Sequence, residues 1–167
     1  YVNGASTLTR STFPAGVPTG STPYTIALWI RDDGSPNSGG FCGWGNSAAN
    51  QCNNFRLSGA NGLNNYWYAN DFNLTGLSTN LKDGQWHHVA VTWDGAIQVM
   101  YVDGAPVGTS PRTGLNAQGA NFVVGKTTAD VGFKGCLDNL LIANRAFSAA
   151  EVTSVMQAAM RSDLLPP

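Results

Sequence analysis

Charge is what this sequence has least of. Lys, Arg, Asp and Glu make up 11% of its 167 residues, under half of the roughly 25% found in soluble domains. Nine basic residues against ten acidic ones leave a net charge of -1. That offers no basic face for nucleic acid or for an anionic bilayer. No run approaches the ~20 apolar residues that span a bilayer, which excludes membrane insertion. Glu is scarcer than any other charged type: Glu151 stands alone. No initiator Met and no signal peptide open the chain at Tyr1, which reads as a mature or excised piece of a longer protein.

Cysteine is also sparse. Cys42 and Cys52 lie ten residues apart across a Gly/Asn-rich stretch, a spacing that predicts a small disulfide staple and an extracellular setting. Cys136 is left over inside an apolar run and reads as a buried core thiol. His87 and His88 are adjacent and cannot both face one metal from a strand, so a zinc site is not expected.

Hydrophobic residues make up 43% of the chain, enough for a core. The polar surface must then come from uncharged groups, and Asn, Ser, Thr, Gln and 20 Gly supply it. Such a surface suits an extracellular protein that meets neutral polar ligands. Period-two runs rich in β-branched and aromatic residues predict strands over Thr25–Arg31, Trp86–Trp93, Ile97–Val102, Phe122–Gly125 and Cys136–Ala143. Shorter candidates are Phe41–Gly45, Asn54–Leu57 and Tyr66–Ala69. Asp94-Gly95 and Asp103-Gly104 are hairpin turn signals. Strands without alternating helices predict an all-β, antiparallel two-sheet sandwich. One short C-terminal helix is marked by the capping box Ser148-Ala149-Ala150-Glu151. Val152, Val155, Met156 and Ala159 then share a face through about Met160. A single domain over 1–163 is expected, with 164–167 as tail or start of a linker. Asn73-Leu74-Thr75 is a glycosylation sequon, relevant in a eukaryotic secretory pathway.

Two long segments carry a recognisable pattern. Asp83-Gly84-Gln85-Trp86-His87-His88-Val89-Ala90-Val91-Thr92-Trp93-Asp94-Gly95 with Tyr101-Val102-Asp103-Gly104 resembles the paired hairpin strands of laminin-G-like, pentraxin-like domains. Phe133 to Ser148 resembles their closing strand and helix start, and Pro23 to Ile30 an early strand. The resemblance implies the concanavalin A-like jelly roll, usually in secreted proteins, and is nearly silent on ligand. Domains of this resemblance often carry one structural Ca²⁺. Asp138 shares parity with Cys136, Leu140 and Ile142, so it is expected to point inward, where a carboxylate needs a partner. Three partners or escapes are open: a calcium ion shared with backbone near Asn3 and Gly4, an ion pair with Arg145, or a bulge that turns Asp138 outward.

The same superfamily contains glycanases, whose retaining members need two carboxyls about 5 Å apart. Here the lone Glu151 reads as a helix cap, Asp94 and Asp103 as turn formers, and Asp32-Asp33 as a loop start. His88 and Tyr101 are the residues a lyase would use, but His88 belongs to the fold pattern. A nucleophile elbow is absent. The domain is therefore read as not an enzyme.

Residues 41–80 hold ten of the sixteen Asn, together with aromatics, one Arg and one Asp. That mixture suits a neutral sugar, whose C–H face stacks on a ring while hydroxyls exchange hydrogen bonds with amides. The candidate ligand residues are Trp44, Asn54, Arg56, Tyr66, Trp67, Tyr68, Asn70 and Asp71. Alternation places Tyr66 and Tyr68 on one face and Trp67 on the other; which face is the groove stays open. Trp29, Trp86, Trp93 and His88 are read as core. The expected function is a non-catalytic, lectin-like glycan- or polysaccharide-binding domain of a secreted protein. The alternatives are an adhesion module for an extracellular protein, or a structural domain with no ligand of its own.

Overall fold

The computed structural model describes residues 2–3, 7–35, 39–128 and 132–162. Among the described residues there are twelve strands and one helix. They are β1 (Val2–Asn3), β2 (Leu8–Thr9), β3 (Tyr24–Asp32), β4 (Gly40–Gly45), β5 (Cys52–Leu57), β6 (Gly62–Tyr66), β7 (Phe72–Thr75), β8 (His87–Trp93), β9 (Ile97–Val102), β10 (Ala105–Pro111), β11 (Val123–Val124), β12 (Lys134–Ala143) and helix α1 (Ala149–Ser162). They build two six-stranded sheets: β1-β12-β3-β8-β9-β10 and β2-β11-β4-β5-β6-β7. Every strand pairing is antiparallel. Among the described residues, no helix is long and apolar enough to cross a membrane.

The core lies between the sheets. Tyr24, Ile26, Leu28 and Ile30 of β3 meet Phe41, Trp44, Phe55 and Leu63 from the facing sheet, all with no solvent exposure. Phe41 packs edge-on against both Phe55 and Phe133, and Trp67 edge-on against Trp93. A second, smaller cluster covers the outer face of the first sheet, where Val152 of α1 is buried against Ala27, Ala90 and Tyr101. The capping box forms: the Ser148 backbone N–H donates to Glu151 at 2.8 Å, and the Glu151 N–H donates to Ser148 Oγ at 3.3 Å. Arg145 reaches the other Glu151 oxygen at 2.7 Å.

Four expectations are corrected here. Cys42 and Cys52 are not joined. In the β4–β5 register Cys42 opposes Phe55 and Cys52 opposes Gly45, so three residues, roughly 10 Å, separate the two along the strand. A disulfide closes over less than about 7 Å between Cα atoms. Burial pushes the Cys42 thiol up to about 12. Cys136 is only half-buried, on the outer face beside Arg31, whose Nη2 lies 3.5 Å from its sulfur.

Third, the inward placement of Asp138 is corrected, and of the three outcomes left open for it the bulge is found. Asp138, opposite Trp29, still follows the parity of Cys136, but the ladder then slips between Asp138 and Leu141. Asn139, at φ 50, is the extra residue of a bulge that reverses the alternation. Leu140 and Ile142 therefore pack on the core while Asp138 stays exposed. Arg145 pairs with Glu151 rather than with Asp138. Nor do Asp138 and Asn3 fit a shared calcium. Asn3 opposes Lys134, four residues or roughly 13 Å from Asp138 along the strand. The side chain of Asn3, and Gly4, lie outside the described residues. Among the described residues, no group of three or more His, Cys, Asp or Glu side chains is arranged to hold a metal ion. Fourth, Trp86 is 41% exposed rather than core; Trp93 is buried and Trp29 half-buried.

Candidate functional site

The site is built on β5, β6 and β7, whose register fixes which residues share a face. Asn54 opposes Tyr66, and Arg56 opposes Asn64, which opposes Asn73. These positions alternate with Phe55 and Asn65, which point into the core with Leu57, Leu63 and Trp67. The outer face thus carries a cross-strand row of Arg56, Asn64 and Asn73 beside a second row of Asn54 and Tyr66. Hydrogen bonds run along the first row. Arg56 Nε donates to Asn64 Oδ1 at 3.2 Å, Asn64 Nδ2 donates to Asn73 Oδ1 at 3.4 Å, and Ser58 Oγ also donates to Asn73 Oδ1.

A loop walls this face on the β4 side. Asn54 Oδ1 accepts from the Thr128 backbone N–H at 3.0 Å, and Asn54 Nδ2 donates to Thr128 Oγ1 at 3.1 Å. The strand beneath must be bare for the wall to sit so close. A Cβ on Gly43 would stand 1.9 Å from Asn54 Oδ1, and one on Gly40 would stand 2.2 Å from Thr127 N. The opposite side ends at β7, the last strand of its sheet.

The aromatics settle into two classes. Trp67 is fully buried, its indole N–H directed to Tyr24 Oη at 3.2 Å and Asn65 Oδ1 at 3.1 Å. Trp44 is fully buried too, donating to the Pro18 carbonyl at 2.8 Å. Neither can stack on a ligand, which corrects both candidates. Tyr66 and Tyr68 lie outward with ring centroids 5.8 Å apart at 68°. The Arg56 guanidinium sits 5.3 Å from the Tyr66 ring centre, so one flank of Tyr66 holds Arg56 and another meets the Tyr68 ring. Tyr68 is 38% exposed and presents the open ring. It is raised by two consecutive left-handed residues, Tyr68 at φ 63 and Ala69 at φ 65. Such non-glycine strain costs of order 1–3 kcal/mol per residue and concentrates at functional sites.

The end of the sandwich next to Tyr68 is polar and cross-braced. Asp71 Oδ1 accepts from the Trp67 backbone N–H at 3.1 Å. Desolvation raises the Asp71 carboxyl above its ordinary range, against the pull of that N–H and of Arg56 and Arg112. Asn70 Nδ2 donates to Asn50 Oδ1 at 3.1 Å and to the Thr113 carbonyl at 3.0 Å, while Asn70 Oδ1 accepts from Arg112 Nη1 at 2.8 Å. Arg112 is the rim residue that sequence reading missed. It lies 41 residues beyond Asp71, at the close of a strand without a legible pattern, and only the fold brings the two together.

Six of the eight expected ligand residues are therefore gathered: Arg56, Tyr66 and Tyr68 on the outer face, Asn54 on that face but buried under the Thr128 loop, and Asn70 and Asp71 at its rim. Glu151 is committed to the helix start, far from them in the fold; its carboxyl is held at about 2, first by Arg145 and then by Ser148.

A laminin-G family model of the concanavalin A-like lectin/glucanases superfamily matches residues 3–153. The chain belongs to that superfamily. Solved structures share the fold at low identity. A heptameric pentraxin from Limulus polyphemus matches with TM-score 0.65 and 18% identity, over 92% of this chain and 79% of the other. Domain 4 of an extracellular GH43 arabinanase from Geobacillus stearothermophilus, solved with arabinotriose, gives 0.70 and 21% over 92% and 74%. A CBM40 domain of a Ruminococcus gnavus sialidase, bound to α2,3 sialyllactose, gives 0.65 and 15% over 89% and 97%. No curated protein matches the sequence itself. The laminin-G, pentraxin-like resemblance and the two-sheet jelly roll expected from the sequence are both found.

Proposed function

We propose that this is a non-catalytic carbohydrate-binding domain of a secreted protein, and that it holds a neutral glycan on the outer face of the β5–β6–β7 sheet. The observation that carries the reading is the placement of one exposed ring, Tyr68, beside a row of amides and a guanidinium on a single wall-bounded face. Tyr68 takes the C–H face of a sugar. Asn73 supplies donor and acceptor for hydroxyls, positioned by the buried Asn64 beside it, Asp71 accepts, and Arg112 donates from the rim. Structural relatives solved with arabinotriose and with sialyllactose show that this fold accommodates glycans. The extracellular arabinanase among them agrees with a secreted context.

A glycan array on the isolated domain, repeated with Tyr68→Ala, tests this. The wild-type domain is expected to retain a defined set of glycans that the variant loses while keeping its melting temperature. If no glycan binds but an extracellular protein does, the adhesion reading replaces this one. If the variant binds as well as the wild type, the site lies elsewhere.

A further inference from the structure

On the other sheet, the ring of His87 is held between two carboxylates from different elements. Nδ1 lies 2.9 Å from Asp103 Oδ2 and Nε2 lies 3.2 Å from Asp83 Oδ1. The residue as a whole is 8% exposed. Asp83 belongs to the loop that leads into β8, and Asp103 to the turn between β9 and β10. Both ring nitrogens can donate only when the imidazole is protonated.

We propose that Asp83, His87 and Asp103 form a proton-operated latch. It holds the 83–86 loop against the β9–β10 turn at acidic pH and releases it when His87 loses its proton. The neutral ring keeps one N–H. Asp103 is the better-placed partner, at 2.9 Å, and its other oxygen is already fixed by the His88 backbone N–H at 2.9 Å. The proton therefore stays on Nδ1, and the Nε2 lone pair is left facing the Asp83 carboxylate. Asp83 keeps the Gln85 N–H at 2.8 Å, so the loop moves as a small turn and carries Trp86 with it.

Among the described residues, the charges that act on the His87 ring are those of Asp103 and Asp83. His88, next along β8, is lowered to about 4 by burial, against a smaller pull from Asp103, and stays neutral. Arg31 of β3 is directed to Trp86, 5.5 Å from its ring centre, and to Cys136. Lys82 donates to the Gly59 carbonyl. Helix α1 meets the same turn through Thr153, whose hydroxyl lies 3.4 Å from the Gly104 carbonyl oxygen, and through Met156. For His87 itself burial pulls the pKa down, but the hydrogen bonds and charges of Asp103 and Asp83 outweigh it, and the net shift is upward. A raised folded value means that the latch is fully closed below the ordinary pKa of about 6.5 and is lost as pH rises through the folded value.

Trp86, 41% exposed at the end of the latched loop, is the natural reporter. The test is an NMR titration of the whole chain from pH 5 to 9, following the His87 ring and the Trp86 indole. The expected result is one shared midpoint above 6.5, with faster amide exchange over 83–86 on its alkaline side. Asp83→Asn, which keeps size and an acceptor but removes the charge, should lower the His87 midpoint and abolish the Trp86 response. A Trp86 signal that is flat across the range overturns the latch. So does an Asp83→Asn variant that titrates like the wild type.

Discussion

Strands β5 and β6 carry amides and aromatics on both faces, and the comparison of those faces is instructive. Inward, Asn65 Oδ1 accepts from Tyr24, Gln98 and Trp67, and Asn65 Nδ2 donates to Asn53 at 2.8 Å and to the Asn54 carbonyl at 2.9 Å. Tyr24 and Gln98 come from the opposite sheet, so the amide ties the two layers together. Burial raises the Tyr24 phenol far above its ordinary value and keeps it a neutral hydroxyl. Outward, Asn64, Asn73 and Arg56 bond laterally along one row, in which Asn64 is buried, Arg56 half-buried and Asn73 open to solvent. The same residue types thus cross-link a core on one face and offer a polar platform on the other. Parity within the strand, not composition, divides the two roles.

The largest expected difference between the faces is in stability. Trp67→Ala removes a fully buried ring and should cost about 3–5 kcal/mol. In a chain of this size that lowers Tm by roughly 6–20 °C, measurable by calorimetry. Tyr68→Ala, one residue on, should stay within about 0.5 kcal/mol. A stable Trp67→Ala would break the comparison outright.

Asn65→Leu sharpens it. The change leaves the Tyr24 hydroxyl proton without its acceptor and the Trp67 indole N–H with Tyr24 Oη alone, at about 1–3 kcal/mol for a buried group left unsatisfied. Chemical denaturation should show the loss. Asn73→Leu, exposed on the outer face, should barely move the midpoint while weakening glycan binding.

A smaller effect is expected at the helix start, far from both faces. Ser148→Ala should cost about 0.5–2 kcal/mol through the lost cap. The folded Glu151 carboxyl is depressed to about 2 from an ordinary 4.5. Its contribution is therefore fully present above 4.5 and is lost as pH falls toward 2. Melting curves of the wild type should converge on those of Glu151→Gln across that window and separate above it.

How much of this was legible in the sequence follows the same division. Strands with β-branched periodicity, such as Ile97–Val102, stand at their expected positions. Strand β10 escaped because Ala105–Pro111 contains two prolines and a glycine, which only an edge strand tolerates. The strand expected over Tyr66–Ala69 instead ends at Tyr66, where the left-handed turn of Tyr68 and Ala69 begins. For Asp138 parity alone pointed inward and left a bulge as one of three outcomes; the bulge at Asn139 is the one formed, and a period-two pattern could not choose among them. Residue types suitable for a sugar were visible in residues 41–80, but which tryptophans were core depended on register. Arg112 reaches the rim through long-range packing alone.

Chemical-shift mapping of the ¹⁵N-labelled domain, titrated with a glycan retained on the array, tests the central claim most directly. The account predicts movement of the Asn64, Asn70 and Asn73 side-chain amides and of the backbone around Tyr68 and Asp71, with the Trp67 indole unchanged. Shifts confined to the outer face of the other sheet, around Trp86 and Arg31, would contradict it.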